Sequence, residues 1–337
     1  MPKLLIRADG GPEIGLGHLM RCRTLALAMR ERGWEILLLT TSDPGDIWSD
    51  LQRAPLPWEQ IDGGTAQGFK TAMAAKMHGA DLVLIDQYGF ATEDFTALWA
   101  TGPRLAVIDD LGERVLPVDA VINPNPGAEA APYAKRGVPL CLCGAPYTLV
   151  RPEVGRLAGA PLPDDGHVLV TLGGGDVQEI TLEVVSALGD DVCARPIVVC
   201  VGPACPVDRL AAWERGRNGR RLVRETAALP ELMRGAVLTI TGGGTTLWET
   251  YCIGRPGLAV AWVENQRRTL GIVEEHRTGI AIDARSGVPI EFVVEAFRTI
   301  AGDARLREEM VRRQRKLIDG KGAVRVAEAL VSHGKSG

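Results

Sequence analysis

Short, unbroken apolar runs alternate with helical patterns along this chain, and that order constrains the fold more than any other feature. Leu4-Leu5-Ile6 leads into a helical pattern over residues 18–32, where Leu19, Cys22, Leu25, Ala26 and Met29 recur at helical spacing and Gly33 marks the stop. Ile36-Leu37-Leu38-Leu39, Leu82-Val83-Leu84-Ile85, Leu105-Ala106-Val107-Ile108 and Val121-Ile122 follow as strands, with helical segments near 67–78 and 92–100. Strands that are apolar on both faces and joined by helices predict a parallel sheet covered on both sides. Between residues 123 and 166 the pattern loosens into eight prolines around one strand, Leu140 to Cys143, which predicts a domain boundary. A second cycle then opens at Val168-Leu169-Val170-Thr171-Leu172 and continues through Ile197-Val198-Val199-Cys200-Val201, a helix near 206–215, Val237-Leu238-Thr239-Ile240 and Leu258-Ala259-Val260-Ala261. Helical patterns rich in Arg and Glu close the chain over about 290–318 and 321–332. The expectation is an α/β protein of two doubly wound Rossmann-like domains, residues 1–150 and 151–337, facing across a cleft that takes ligands at the carboxyl ends of both sheets.

A length of 337 residues with 46% hydrophobic and 24% charged residues suits two globular domains and excludes a disordered chain. The net charge of −4 supplies no global field for nucleic acid, so phosphate recognition is expected to be local. No apolar run approaches the ~18 residues of a membrane span, and Met1-Pro2-Lys3-Leu4-Leu5-Ile6 is too short for a secretion signal, which predicts a cytosolic protein with no stable membrane insertion. Seven scattered cysteines form no paired clusters and read as free thiols; Cys141 and Cys143 fall on one face of a strand, with no second ligand pair for zinc.

The chemistry concentrates in turns. From Ile6 to Cys22 an apolar strand runs through a glycine-rich loop, Gly15-Leu16-Gly17, into a helix that opens with His18. Glycines let backbone N–H groups approach a ligand, and a helix N-terminus favours anions. The third glycine of a dinucleotide site is missing, as is an acid for a ribose some twenty residues on. The helix start disfavours a cationic imidazole and so leaves His18 neutral, as a general base requires; a merely solvated or hydrogen-bonded histidine is the other reading. Asp9 is placed either to orient that imidazole or to cap the turn. Asp109-Asp110, after a strand, reads as loop-capping rather than as a metal-binding pair. Two further glycine turns, Gly173-Gly174-Gly175 and Gly242-Gly243-Gly244, lack the Gly-Lys-Ser/Thr ending of a triphosphate loop but suit a diphosphate, or else tight helix-on-strand packing. Glu249, one turn into the next helix, is either a ribose-hydroxyl acceptor or a helix-dipole carboxylate. No histidine, cysteine or carboxylate spacing indicates a metal, and no cofactor is expected.

Several segments, in order, resemble the UDP-sugar hydrolases of pseudaminic acid biosynthesis: Arg7-Ala8-Asp9 through Ile14-Gly15-Leu16-Gly17-His18-Leu19-Met20-Arg21-Cys22, Ile85-Asp86-Gln87-Tyr88-Gly89, Gly144 through Glu153, Gly173-Gly174-Gly175-Asp176 and Glu264-Asn265-Gln266. Gln87 departs from the family, which often has histidine there, so a polar contact near the sugar differs. The resemblance implies a GT-B-like fold, similar to the N-acetylglucosaminyltransferase that completes lipid II. It also implies metal-independent, inverting release of UDP from a UDP-linked 2,4-diacetamido-2,4,6-trideoxy hexose, with His18 activating water. Together with the turns above, the expected site comprises His18 and Asp9 as catalytic residues. Gly15, Gly17, Arg21, Tyr88, Gly173, Gly174, Gly243, Gly244, Thr245, Glu249, Asn265 and Gln266 are the expected substrate contacts. The rival readings are a glycosyltransferase using the same donor, with Trp48 and Trp58 near a lipid-docking face that the acids Asp43, Asp46, Asp50, Glu59 and Asp62 argue against, and an inactive nucleotide-sugar-binding protein.

Overall fold

The computed structural model describes residues 1–10, 17–41, 56–62, 67–110, 112, 116–189, 191–202, 205–216, 218–224 and 226–333. Gly15, Asp43, Asp46, Trp48 and Asp50 lie outside them. Two compact units emerge: Met1–Leu149 with Lys321–Gly337, and Val150–Gly320.

In the first unit seven parallel strands follow the order β3-β2-β1-β4-β5-β6-β7. They are β1 (Lys3–Ala8), β2 (Glu35–Thr40), β3 (Trp58–Gln60), β4 (Leu82–Asp86), β5 (Arg104–Ile108), β6 (Ala120–Asn123) and β7 (Leu140–Cys143). The chain begins mid-sheet, winds out to β3, then returns to lay β4 on the other side of β1, so the strand order reverses between β1 and β4. Crossovers there leave a crevice at the carboxyl ends of those two strands. Every residue of β4 and β6 is buried, as the unbroken apolar runs require, and Val83, Ile85, Leu105, Val107 and Val121 pack with Phe90, Phe95 and Leu98 into one core.

The second unit repeats the winding with six parallel strands in the order β10-β9-β8-β11-β12-β13. These are β8 (His167–Thr171), β9 (Ile197–Cys200), β10 (Arg220–Val223), β11 (Ala236–Gly242), β12 (Gly257–Ala261) and β13 (Ile280–Asp283), reversing between β8 and β11. Three strands have no counterpart in the apolar pattern, β3, β10 and β13, and each is an edge strand of three or four residues. An edge needs little apolar sequence because one side faces solvent.

The expected second domain, 151–337, differs at its end. The helix Gly322–His333 belongs with the first unit: Glu328 accepts from Arg32 (2.9 Å), the Leu330 carbonyl from Arg104 (2.9 Å) and the Pro146 carbonyl from Arg325 (3.0 Å). Gly322 makes this docking possible, since a Cβ there would lie 2.1 Å from the Thr148 carbonyl oxygen. The pattern over 290–318 resolves into two helices, Ile290–Gly302 and Ala304–Leu317, broken at Asp303, whose carboxylate accepts from the Leu306 N–H (2.9 Å).

One buried cation ties the second unit together. Arg255 is fully buried and donates to the carbonyls of Met233 (2.9 Å), Arg234 (2.8 Å), Gly254 (2.9 Å), Pro161 (3.1 Å) and Ala160 (3.4 Å). It thereby closes the carboxyl ends of two helices and fixes the segment entering β8. Arg255→Leu removes all five of these bonds from a buried site and is expected to cost about 3 kcal/mol or more, read as a lowered urea midpoint at unchanged m-value.

Candidate active site

Three carboxylates gather at the carboxyl ends of β1, β4 and β5: Asp9 just past β1, Asp86 as the last residue of β4, and Asp110 two residues beyond β5. The helix Gly17–Arg30 starts over them and puts His18 and Arg21, three residues apart, on one face. His18 Nδ1 lies 2.6 Å from Asp86 Oδ1, and Arg21 grips the same carboxylate through Nε (2.6 Å to Oδ2) and Nη2 (2.5 Å to Oδ1). A carboxylate only accepts, so Nδ1 carries the proton, and the Arg21 Nη2 group 3.1 Å away is a neighbour sharing that acceptor rather than a donor to the ring. In the neutral ring Nε2 is then the lone-pair nitrogen, on a side chain that is 13% exposed.

Burial pushes the Asp86 carboxyl up, but the charge and hydrogen bonds of Arg21, with those of His18, outweigh it and hold it down to about 2. The Cys22 thiol is pushed well above its ordinary range by burial and by Asp86, so it is no nucleophile. Tyr88 sets its ring edge-on to His18, with centroids 4.9 Å apart at 87°, and donates its hydroxyl to Asp110 Oδ2 (2.8 Å); burial and Asp110 raise its phenol and keep it protonated.

Asp9 does not orient the imidazole. Its oxygens accept from Arg7 Nη1 (2.6 Å) and Nη2 (2.7 Å), the Thr41 N–H (2.7 Å), the Thr40 hydroxyl (3.1 Å) and the Gln87 amide. Five donors saturate it, and the orienting role falls to Asp86, which sequence reasoning quoted without assigning it a role. The available signal was position: an aspartate closing the apolar strand that would lie beside β1. Gln87, the departure from the family pattern, is turned onto Asp9. Gly17 stands at the helix start with open space where a Cβ would project.

In the second unit the glycine turns follow β8 and β11, the two strands that flank the reversal. The glycines divide by role. A Cβ on Gly242 would sit 2.2 Å from the Leu172 carbonyl oxygen and one on Gly243 3.1 Å from Gln266 Cβ, so these two serve close packing. A Cβ on Gly173 would make ordinary contacts, and those on Gly174 and Gly244 would project into open space. The helix Thr245–Ile253 starts at Gly244 with no side-chain cap; the Leu247 N–H bonds back to the Gly244 carbonyl (3.1 Å), and Thr245 is exposed at the helix start. Asn265 is exposed on the turn after β12, while Gln266 Oε1 accepts from the Trp262 N–H (3.0 Å) and is spent on shaping that turn.

Glu249 is buried in a two-pronged pair with Arg151, Nε to Oε1 and Nη2 to Oε2 at 2.6 Å each. Neither alternative read from the sequence included this partner, because nothing local links residues 98 positions apart. Among the described residues no three His, Cys, Asp or Glu side chains are grouped to hold a metal, and no helix is long and apolar enough to cross a membrane.

The same architecture recurs in solved structures. The calicheamicin glycosyltransferase CalG4 matches with a TM-score of 0.66 at 15% identity, over 99% of this chain and 98% of that one. S. aureus MnaA in its UDP co-structure matches with a TM-score of 0.67 at 13% identity, over 98% and 96%. The chain has the GT-B fold of two Rossmann-like domains. In sequence it is similar to the spore coat polysaccharide biosynthesis protein SpsG of Bacillus subtilis, 27% identical over 335 residues and 96% of each chain. It is also similar to the UDP-2,4-diacetamido-2,4,6-trideoxy-beta-L-altropyranose hydrolase of Campylobacter jejuni, 23% identical over 273 residues, 79% of this chain and 94% of that one. No family model matches.

Two outcomes follow from the buried pairs. The folded-state depression of Asp86 contributes stability that is full above the ordinary carboxyl range near 4 and is lost as pH falls toward about 2. Asp86→Asn is less stable at neutral pH, and urea titrations between about pH 5 and pH 2 should show its gap from wild type narrowing as pH drops. Glu249→Ala strands a buried guanidinium and is expected to cost about 3–5 kcal/mol of unfolding free energy, with Arg151→Ala comparable because it strands the carboxylate.

Proposed function

We propose that this chain is a nucleotide-sugar hydrolase that releases UDP from a UDP-linked 2,4-diacetamido-2,4,6-trideoxy hexose, with His18 as the base that activates water. The observation that carries this reading is the fixed tautomer of His18: Asp86 accepts the hydrogen bond from Nδ1–H, and Nε2 remains to accept a proton from water. The C. jejuni hydrolase, similar in sequence over most of its length, supports the choice of substrate class.

In the proposed reaction Nε2 removes a proton from water while its oxygen attacks the anomeric carbon on the face opposite UDP. The bond from that carbon to the diphosphate oxygen breaks, its electron pair leaves with UDP, and the centre inverts. Asp86 stabilises the imidazolium as it forms, while Arg21 keeps Asp86 ionised. UDP is a good leaving group and needs little acid assistance, so donors aimed at the diphosphate suffice. The uncapped start of Thr245–Ile253, with the open backbone at Gly244 and Gly174, is assigned to it. Glu249 keeps lone-pair capacity beyond its bonds to Arg151 for a ribose hydroxyl, and Asn265 is placed on an exposed turn of the same unit. No metal is required by this scheme.

One observation favours a second reading. The spore coat polysaccharide protein is the more similar of the two relatives and covers more of this chain, which fits transfer of the sugar to an acceptor other than water. A panel of UDP-sugars incubated with the protein in EDTA and followed by NMR separates the two. Hydrolysis yields free UDP and free sugar in equal amounts, whereas a transferase leaves the donor intact until an acceptor is added. His18→Asn is expected to lower turnover by about 10²–10⁴ while retaining nucleotide-sugar binding. Near-wild-type turnover in that variant at saturating substrate, or activity that returns only with Mg²⁺, overturns the scheme.

A further inference from the structure

Adjacent carboxylates after β5 do different work. Asp109, fully buried, accepts from the Gly112 N–H (3.0 Å) and the Tyr133 hydroxyl (2.9 Å) and so has the loop-capping role expected of the pair. Asp110 turns the other way. Its Oδ2 accepts from Arg21 Nη1 (2.7 Å) and the Tyr88 hydroxyl (2.8 Å), and its Oδ1 from Asn125 Nδ2 (3.0 Å), so three donors from three chain segments converge on one carboxylate.

Both donors on Oδ2 border His18. Tyr88 lies edge-on to the imidazole, and Arg21 shares Asp86 Oδ1 with Nδ1. We infer that Asp110 is a positioning residue for His18, acting through Tyr88 and Arg21 without contacting the imidazole. Asp86 sets which nitrogen carries the proton, and rotation about the axis of that one hydrogen bond stays open until a second contact blocks it. The Tyr88 ring is that contact. Tyr88 itself is about half exposed, and its hydroxyl bond to Asp110 fixes where the ring stands. Arg21 is correspondingly held between two carboxylates, so its fork on Asp86 is anchored from behind.

Asp110→Asn tests this with nearly unchanged shape. An amide presents one acceptor oxygen and an NH₂ group where three donors converge, so at least one bond is replaced by a donor facing a donor. The kinetic consequence rests on the hydrolase reading; the spectroscopic one does not. In the folded variant the ring-proton resonances of His18, one of five histidines and assigned by comparison with His18→Asn, should move to the positions seen in Tyr88→Leu as the ring-current shift is lost. With a UDP-sugar substrate kcat should fall by about 10- to 100-fold with KM nearly unchanged, as for a misplaced catalytic group. Tyr88→Phe removes only the hydroxyl that reaches Asp110 and should shift the same resonances, which keeps the test available if Asp110→Asn fails to fold. His18 resonances that stay in place in either folded variant overturn the inference. Shifted resonances in a protein that hydrolyses no UDP-sugar leave it standing and reject the hydrolase reading instead.

Discussion

A carboxylate sealed from water must be met by donors on both oxygens, and the Asp86 carboxylate is met by Arg21 and His18. Much of the first unit's site depends on this. The two-pronged bond from Arg21 supplies the counter-charge that keeps Asp86 ionised under burial, and an ionised Asp86 fixes the His18 tautomer. Because both donors sit three residues apart on the first turn of one helix, the same bonds also set the angle at which that helix leaves the sheet. Asp9, one strand over, solves the same desolvation problem with Arg7 and the Thr41 N–H, and is spent in doing so. Two aspartates at neighbouring strand ends thus have different fates, one spent on a structural arginine and backbone and one shared between an arginine and a histidine.

The second unit poses the same problem with backbone in place of side chains. Gly242 is small because the Leu172 carbonyl leaves no room for a Cβ, and at Gly243 a Cβ would crowd Gln266. Neither condition holds at Gly244, which opens an uncapped helix into free space. A turn that looks uniform as three glycines is therefore two packing residues followed by an open one. The Arg151–Glu249 pair lies one turn farther along that helix and holds it to the segment entering the unit. Burial makes the pair costly to break from either side, whatever else Glu249 contacts.

The order of apolar runs carried the winding of both sheets. Parallel strands covered on both faces have to be apolar throughout, so β4, β5, β8, β11 and β12 announce themselves, whereas β3 and β10, at sheet edges, carry Trp58-Glu59-Gln60 and Arg220-Arg221 and do not. Gly33, with φ of 81°, ends the first long helix as its position implied, since the left-handed conformation there favours glycine. His18 was legible for a local reason as well: a glycine-rich turn after a strand places the next helix start at the strand's carboxyl end.

What the sequence determined by itself was thus the order of the buried strands and helices and a strand end where polar chemistry gathers, because hydrophobic periodicity and turn chemistry act over a few residues. The choice of partner at that place belongs to the tertiary structure. Asp86 rather than Asp9 orients His18, Asp110 rather than Asp109 reaches Arg21 and Tyr88, and Glu249 meets Arg151. The last helix, continuous in sequence with the second unit, docks on the first. Each outcome turns on which charged or polar groups are brought within about 3 Å of one another after burial. Residues 65 to 98 positions apart, as in the Arg21–Asp86 and Arg151–Glu249 pairs, carry no local signal of that meeting.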